Sequence, residues 1–135
     1  MKQEMTRKLI LSGTFLIAVG IILGSIAAHG LKTAGLPDDK IASFETGVRL
    51  QMYAGFGLLI LAGIQNHFYF TLKTPMYLLW IGTLFFSGSI YFLATKQLHG
   101  IDLGKAFALI TPVGGLMMIL AWTLIFVRYL LQKKA

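Results

Sequence analysis

The chain has 135 residues, of which 56% are apolar and 13% charged, with no cysteine, and its mean hydropathy is +0.75. A soluble domain carries about a quarter charged residues, and here the apolar residues come in long runs; this excludes a disordered chain, a nucleic-acid arm and an ordinary soluble enzyme, and points to an integral membrane protein. The net charge of +7 does not imply a nucleic-acid partner, because the basic residues stand at the ends of apolar runs rather than together on one face.

In chain order, Lys2, Arg7 and Lys8 precede the apolar stretch Leu9 to Ala28. A secretory signal has an apolar region of about 7–15 residues, whereas about 20 are needed to cross a bilayer. The stretch is therefore expected to be a retained first helix, over residues 8–29. Its Gly20, Gly24 and Ala28 lie four residues apart, a ridge suited to close helix packing in lipid. The longest loop follows, from Gly30 to Thr46. Within it Pro37-Asp38-Asp39 has the form of a helix start, with carboxylates near the positive end of the dipole. Ile41, Phe44 and Val48 then recur at helical spacing, which predicts a short amphipathic helix leading into the second span at residues 47–66.

The third and fourth spans are predicted at 75–95 and 106–129. Thr83, Ser87, Tyr91 and Thr95 form a hydroxyl stripe at i+4 on the third. They are read either as local or interhelical hydrogen-bonding groups or as one wall of a polar pocket. In the fourth, Pro112 removes a backbone donor and leaves the Ala108 carbonyl open to another partner such as Ser87. Gly114 and Gly115 beyond it are expected to be packing positions.

No segment alternates apolar and polar residues with a period of two, so a β-barrel is excluded. The fold class is all-α: an integral membrane four-helix bundle, up-down-up-down, in one domain. Seven basic residues (Lys2, Arg7, Lys8, Lys73, Arg128, Lys133 and Lys134) fall on the side of the termini and five (Lys32, Lys40, Arg49, Lys96 and Lys105) on the other. The positive-inside rule then favours both termini on the inner, cytoplasmic side.

Polar residues inside spans are costly and mark candidate sites. His29, Arg49, Gln51, Tyr53, Ser87, Tyr91, Thr111 and Pro112 all fall in the leaflet away from the termini, and make a candidate polar pocket. Arg49 can pair with Glu45 four residues earlier, or face the pocket and bind a carboxylate or lipid phosphate. The three histidines fall in separate places and offer no set of three or four zinc ligands. There is no nucleophile with a base and no phosphate loop, so neither metal, cofactor nor enzymatic activity is expected. Membrane lipids are the expected partners, together with a membrane protein partner or further copies in a homo-oligomer. The leading expectation is a binding or accessory protein holding a lipid, a quinone-like molecule or a partner helix. The alternative is an oligomeric transporter or channel, which needs a continuous polar path.

Four blocks carry a family resemblance: Gly24-Ser25-Ile26-Ala27-Ala28-His29-Gly30-Leu31, Gln51-Met52-Tyr53, Phe86-Ser87-Gly88-Ser89-Ile90-Tyr91 and Ile110-Thr111-Pro112-Val113-Gly114-Gly115. In this order they resemble the domain-of-unknown-function 423 family, small four-span membrane proteins of the bacterial YgdD- and YwdK-like and eukaryotic transmembrane protein 256-like kind. The resemblance implies a bacterial inner-membrane or mitochondrial-type location and no assigned activity. Where the family commonly has His after Gln-Met-Tyr, this chain has Ala54.

Overall fold

The computed structural model describes residues 1–133, so Lys134, one of the basic residues counted toward orientation, lies outside it. Four helices form: α1 (Lys2–Thr33), α2 (Asp38–His67), α3 (Lys73–Ala94) and α4 (Lys105–Leu131), each long and apolar enough to cross a membrane. Among the described residues there are no strands. The helices run past the apolar windows because backbone hydrogen bonds continue into the interfacial layer, where charged side chains are solvated.

The predicted short helix before the second span is not a separate element. Asp38–Ile64 is one continuous α-helix of 27 residues, started by the extended Pro37 and by Asp38 and Asp39 in its first turn. Nothing between Asp38 and Gly47 breaks the backbone ladder, so the amphipathic stretch simply extends α2. The turn before it is tight. Gly35 has φ +81°, its N–H donates to the Lys32 carbonyl at 3.1 Å, and the Leu36 N–H donates to Leu31 at 3.1 Å. These two bonds close the end of α1 as a Schellman motif, with Leu36 folded onto Leu31.

The register of contacts shows antiparallel neighbours. Along α1 and α2, a Cβ at Gly13 would lie 2.7 Å from the Gly55 carbonyl, one at Gly20 2.6 Å from Met52 Sδ, and one at Gly24 3.5 Å from Val48. A Cβ on Gly82 of α3 would meet the Gly114 carbonyl at 2.9 Å, and one on Gly114 the Gly82 carbonyl at 2.6 Å. Each hairpin thus crosses at a reciprocal glycine pair, where only the lack of a side chain lets the backbones meet. A Cβ on Gly47 would meet Tyr91 at 2.8 Å, joining α2 to α3, and one on Gly57 would meet Trp122 at 2.6 Å, joining α2 to α4.

α2 and α3 are central: 44% and 33% of their most apolar windows are buried, against 22% in α1 and in α4. Leu9, Leu58, Leu79 and Ala121 fill the interior toward the termini, while Ala27, Leu31, Leu36, Ile41, Phe44 and Ala94 form a second core at the distal end. Gly20, Gly24, Gly114 and Gly115 all sit at helix contacts, as expected. Ala28 does not; it is exposed, and Ala27 is buried instead. An i+4 step turns about 40° on an α-helix of 3.6 residues per turn, and Ala28 lies past the point where the helix widens, so it leaves the line of Gly20 and Gly24. Both α1 and α3 contain a wider π-helical stretch, Ile26–Gly30 and Leu84–Gly88.

Candidate functional site

The polar cluster is built on α2 and α3. Gln51 is 4% exposed, and its amide Nε2 donates to the Leu16 carbonyl of α1 at 2.8 Å. Its Oε1 accepts from the Tyr91 hydroxyl at 2.8 Å. One side chain therefore ties three helices together. One turn before Tyr91, Ser87 in the π stretch is 1% exposed and donates to the Gly47 carbonyl at 2.6 Å. The Tyr91 ring lies on Phe44 with 4.6 Å between centroids and fills the space above Gly47. A neighbouring pair joins α3 to α4. Ser89 Oγ lies 3.0 Å from the Phe86 carbonyl and 2.5 Å from Thr111 Oγ1. The Ser89 proton goes to that carbonyl, leaving Thr111 as the donor to Ser89.

Four of the eight candidate residues thus join the interior network: Gln51, Ser87, Tyr91 and Thr111. The other four do not enter it. His29, Arg49, Tyr53 and Pro112 are exposed on the outside of the bundle, where helix rotation carries them away from the interface that Gln51 faces. Tyr53 is only two residues from Gln51, a rotation of about 200° on an α-helix. The Glu45–Arg49 pair does not form, since the ion pairs among the described residues are Glu4–Lys8, Asp39–Lys40 and Lys96–Asp102.

Ser87 does not serve the Ala108 carbonyl, because its proton is taken by Gly47. The expected effect of Pro112 is nonetheless visible. The helix is interrupted at Leu109, whose N–H donates to Ala106, before α-helix resumes over Ile110–Leu131. The hydroxyl stripe divides into separate fates. Thr95 donates to the Tyr91 carbonyl one turn back at 2.7 Å, Ser87 reaches α2, and Thr83 Oγ1 is buried with no partner among the described residues.

Residue typing missed several participants. Leu16 enters only through its carbonyl and Gly47 through its carbonyl and its missing side chain, neither of which leaves a polar signature. Ser89 was visible in the Ser-Gly-Ser block but lies off the i+4 stripe. His99 is a loop staple: its Nδ1 accepts from the Ile101 N–H at 3.0 Å, so the Nε2 proton points to the Phe92 carbonyl, also 3.0 Å away. Among the described residues no group of three or more His, Cys, Asp or Glu could hold a metal ion.

Chemically, Gln51, Ser87, Tyr91 and Thr111 each have a hydrogen-bond partner within the protein. Residues 23–115, which hold all of this network except Leu16, match the family described as "Protein of unknown function (DUF423)". The chain belongs to the DUF423 family. Its relatives include a UPF0382 membrane protein of Staphylococcus haemolyticus, 33% identical over 87% of this chain and 91% of that one. The UPF0382 membrane protein YwdK of Bacillus subtilis is 34% identical over 83% and 85%. A UPF0382 membrane protein of Haemophilus influenzae is 32% identical over 90% of each. No solved structure matches. The DUF423 chain is accordingly a multi-pass membrane protein of a family without an assigned function.

Proposed function

We propose that this DUF423 protein is a non-catalytic accessory protein of a bacterial inner membrane, with both termini cytoplasmic, holding a lipid, a quinone-like ligand or a partner helix in its outer leaflet. The observation that carries this reading is Arg49. It is a cation inside a span, exposed on the lipid side of α2, with no carboxylate partner among the described residues. Tyr53, 60% exposed, is one turn further along α2, at i+4 on the same face. Polar groups that face lipid are costly unless something meets them. An Arg fork with an aromatic beside it suits an anionic or carbonyl-bearing group at the end of an apolar tail.

The interior network argues for a scaffold rather than a conduit. Gln51 is bonded to Tyr91 and to the Leu16 carbonyl, Ser87 to the Gly47 carbonyl, and below them Leu9, Leu58 and Leu79 have no solvent exposure. A transporter would need a polar path through that apolar half.

The test is native mass spectrometry of the protein extracted from its own membrane in a mild detergent. A lipid-sized adduct or an added subunit in the wild type, reduced several-fold in Arg49→Gln, is the expected result. A bare monomer that complements a deletion strain fully would overturn it. So would proteoliposome flux abolished by Ser87→Ala, which would establish the transporter instead. Orientation is read from the same protein with a reporter fused at its C-terminus.

A further inference from the structure

At the opposite end of the bundle the end of α2 and the loop after it are tied to α1 and to the residue that follows α4. Gln65 Nε2 donates to the Thr6 hydroxyl of α1. Gln132, after α4, donates to the His67 carbonyl at 3.0 Å and accepts from the Tyr69 N–H at 3.2 Å. Held this way, the loop and the first turns of α1 enclose a cleft of about 570 Å³, within the range of about 300–1,000 Å³ usual for small-molecule sites.

The walls of this cleft divide by chemistry. Lys2, Lys8 and Lys73 supply three cations, and Met5, Phe68 and Leu72 supply an apolar floor. The single carboxylate present, Glu4, is engaged by Lys8 at 2.7 Å. Lys2 and Lys73 are left without a carboxylate partner among the described residues. The Tyr69 N–H is taken by Gln132, and the Thr71 hydroxyl accepts from the Lys73 N–H at 3.2 Å.

Depth identifies the ligand. Lys2 to Lys8 stand before Leu9, where the apolar run of α1 begins, and seven helical residues rise about 10 Å. The headgroup layer is about 5–8 Å thick on each side of the hydrocarbon core. The lysines therefore span the headgroup layer, in which lipid phosphates lie, and the apolar floor of the cleft continues into the protein core.

We propose that the cleft between the start of α1 and the α2–α3 loop is a binding site for the phosphate headgroup of an anionic phospholipid, with Lys2 and Lys73 as its ligands. Juxtamembrane Lys and Arg attract anionic lipids generally; this cleft adds a fixed backbone frame and an apolar floor, so it selects one molecule rather than a diffuse layer. The site stands whether or not Arg49 binds anything at the other end.

The experiment uses the full chain in a neutral detergent, titrated with phosphatidylglycerol, phosphatidylcholine or inorganic phosphate and read by native mass spectrometry and thermal shift. One phosphatidylglycerol per chain is expected to be retained, at least fivefold better than phosphatidylcholine, with no shift from inorganic phosphate. Lys2→Gln with Lys73→Gln should lower that retention at least fivefold. Lys32→Gln with Lys105→Gln, which removes the same charge at the other end, should leave it unchanged.

Equal losses in the two double variants would overturn the proposal, since binding would then follow net charge alone. A shift produced equally by inorganic phosphate would also overturn it, leaving a small-anion site. Because the chain has no cysteine, a single Tyr69→Cys in the otherwise native sequence gives a readout that does not depend on the lysine variants. Its maleimide labelling should slow at least threefold with phosphatidylglycerol but not phosphatidylcholine, while Ala34→Cys at the far end is unaffected. Identical labelling rates at Tyr69→Cys in both lipids would overturn the site.

Discussion

The Tyr91 hydroxyl donates to Gln51 Oε1 at 2.8 Å while the other end of the same amide donates to the backbone of α1 at 2.8 Å. The two bonds place an α3 side chain and an α1 carbonyl on one α2 residue. Interhelical hydrogen bonds in membranes contribute about 0.6 kcal/mol on average and up to about 1.7. Gln51→Leu is expected to destabilise the bundle by about 1–2 kcal/mol, and Tyr91→Phe by about half of that. Steric-trapping measurements on both singles and the double variant should give a coupling energy of about 0.5–1.5 kcal/mol; strict additivity would mean that the bond contributes nothing.

Gly114 and Gly63 make opposite predictions from the same substitution. A Cβ at Gly114 would press on the Gly82 carbonyl at 2.6 Å, so Gly114→Ala must separate α3 from α4. Forced overpacking of this kind costs about 1–3 kcal/mol. At Gly63 nothing lies within 4 Å, and Gly63→Ala should gain up to about 1 kcal/mol from helix propensity. Thermal unfolding in detergent checks the signs: Gly114→Ala below the wild type, Gly63→Ala at or above it.

Thr83 and Ser87 offer a second contrast. The Thr83 hydroxyl is buried without a partner, whereas that of Ser87 is bonded to Gly47. Leaving a buried polar group unsatisfied costs about 1–3 kcal/mol. Thr83→Val is therefore expected to raise stability by about 1 kcal/mol, and Ser87→Ala to lower it by a similar amount. Denaturation of both variants in one detergent decides the matter; a loss of stability in Thr83→Val would show that the hydroxyl is engaged in the bilayer.

The α3–α4 loop responds to acid through Asp102. Its carboxylate accepts from Lys96 Nζ at 2.7 Å and from the Gly104 N–H at 2.8 Å. The Lys96 hydrogen bond, then the Gly104 amide and the Lys96 charge, hold its pKa below the ordinary 3.8. A carboxyl depressed on folding stabilises the loop above its unfolded pKa, and that contribution is lost as pH falls through the lower folded value. The Gly104 amide resonance should hold its position from neutral pH to about 4, the ordinary aspartate range, and titrate below it. Asp102→Asn should abolish the transition.

Much of the fold was legible because lipid forces each apolar run into a helix with its own hydrogen bonds. The four spans follow from that constraint, and the packing of Gly20, Gly24, Gly114 and Gly115 from the close approach that small residues allow. The site was legible only in part. Residue type marked Gln51, Ser87, Tyr91 and Thr111 as costly in lipid, and each found a partner inside. It also marked His29, Arg49 and Tyr53, and nothing in their spacing from Gln51 alone says which way α1 and α2 are rotated. Rotation is set by where glycines let backbones meet, so Gly13 and Gly55, unremarkable in the sequence, decide which neighbours face inward.

Those glycine pairs also permit assembly in halves. Gly13 meets Gly55 within the first helical hairpin and Gly82 meets Gly114 within the second, so each pair needs only two consecutive helices. The first can zip up while the second is still being threaded into the bilayer. What then joins the halves includes the Gln51 amide, the Ser87 hydroxyl and the Tyr91 ring. A chain severed between Leu72 and Lys73 is accordingly expected to give two mating pieces rather than two fragments.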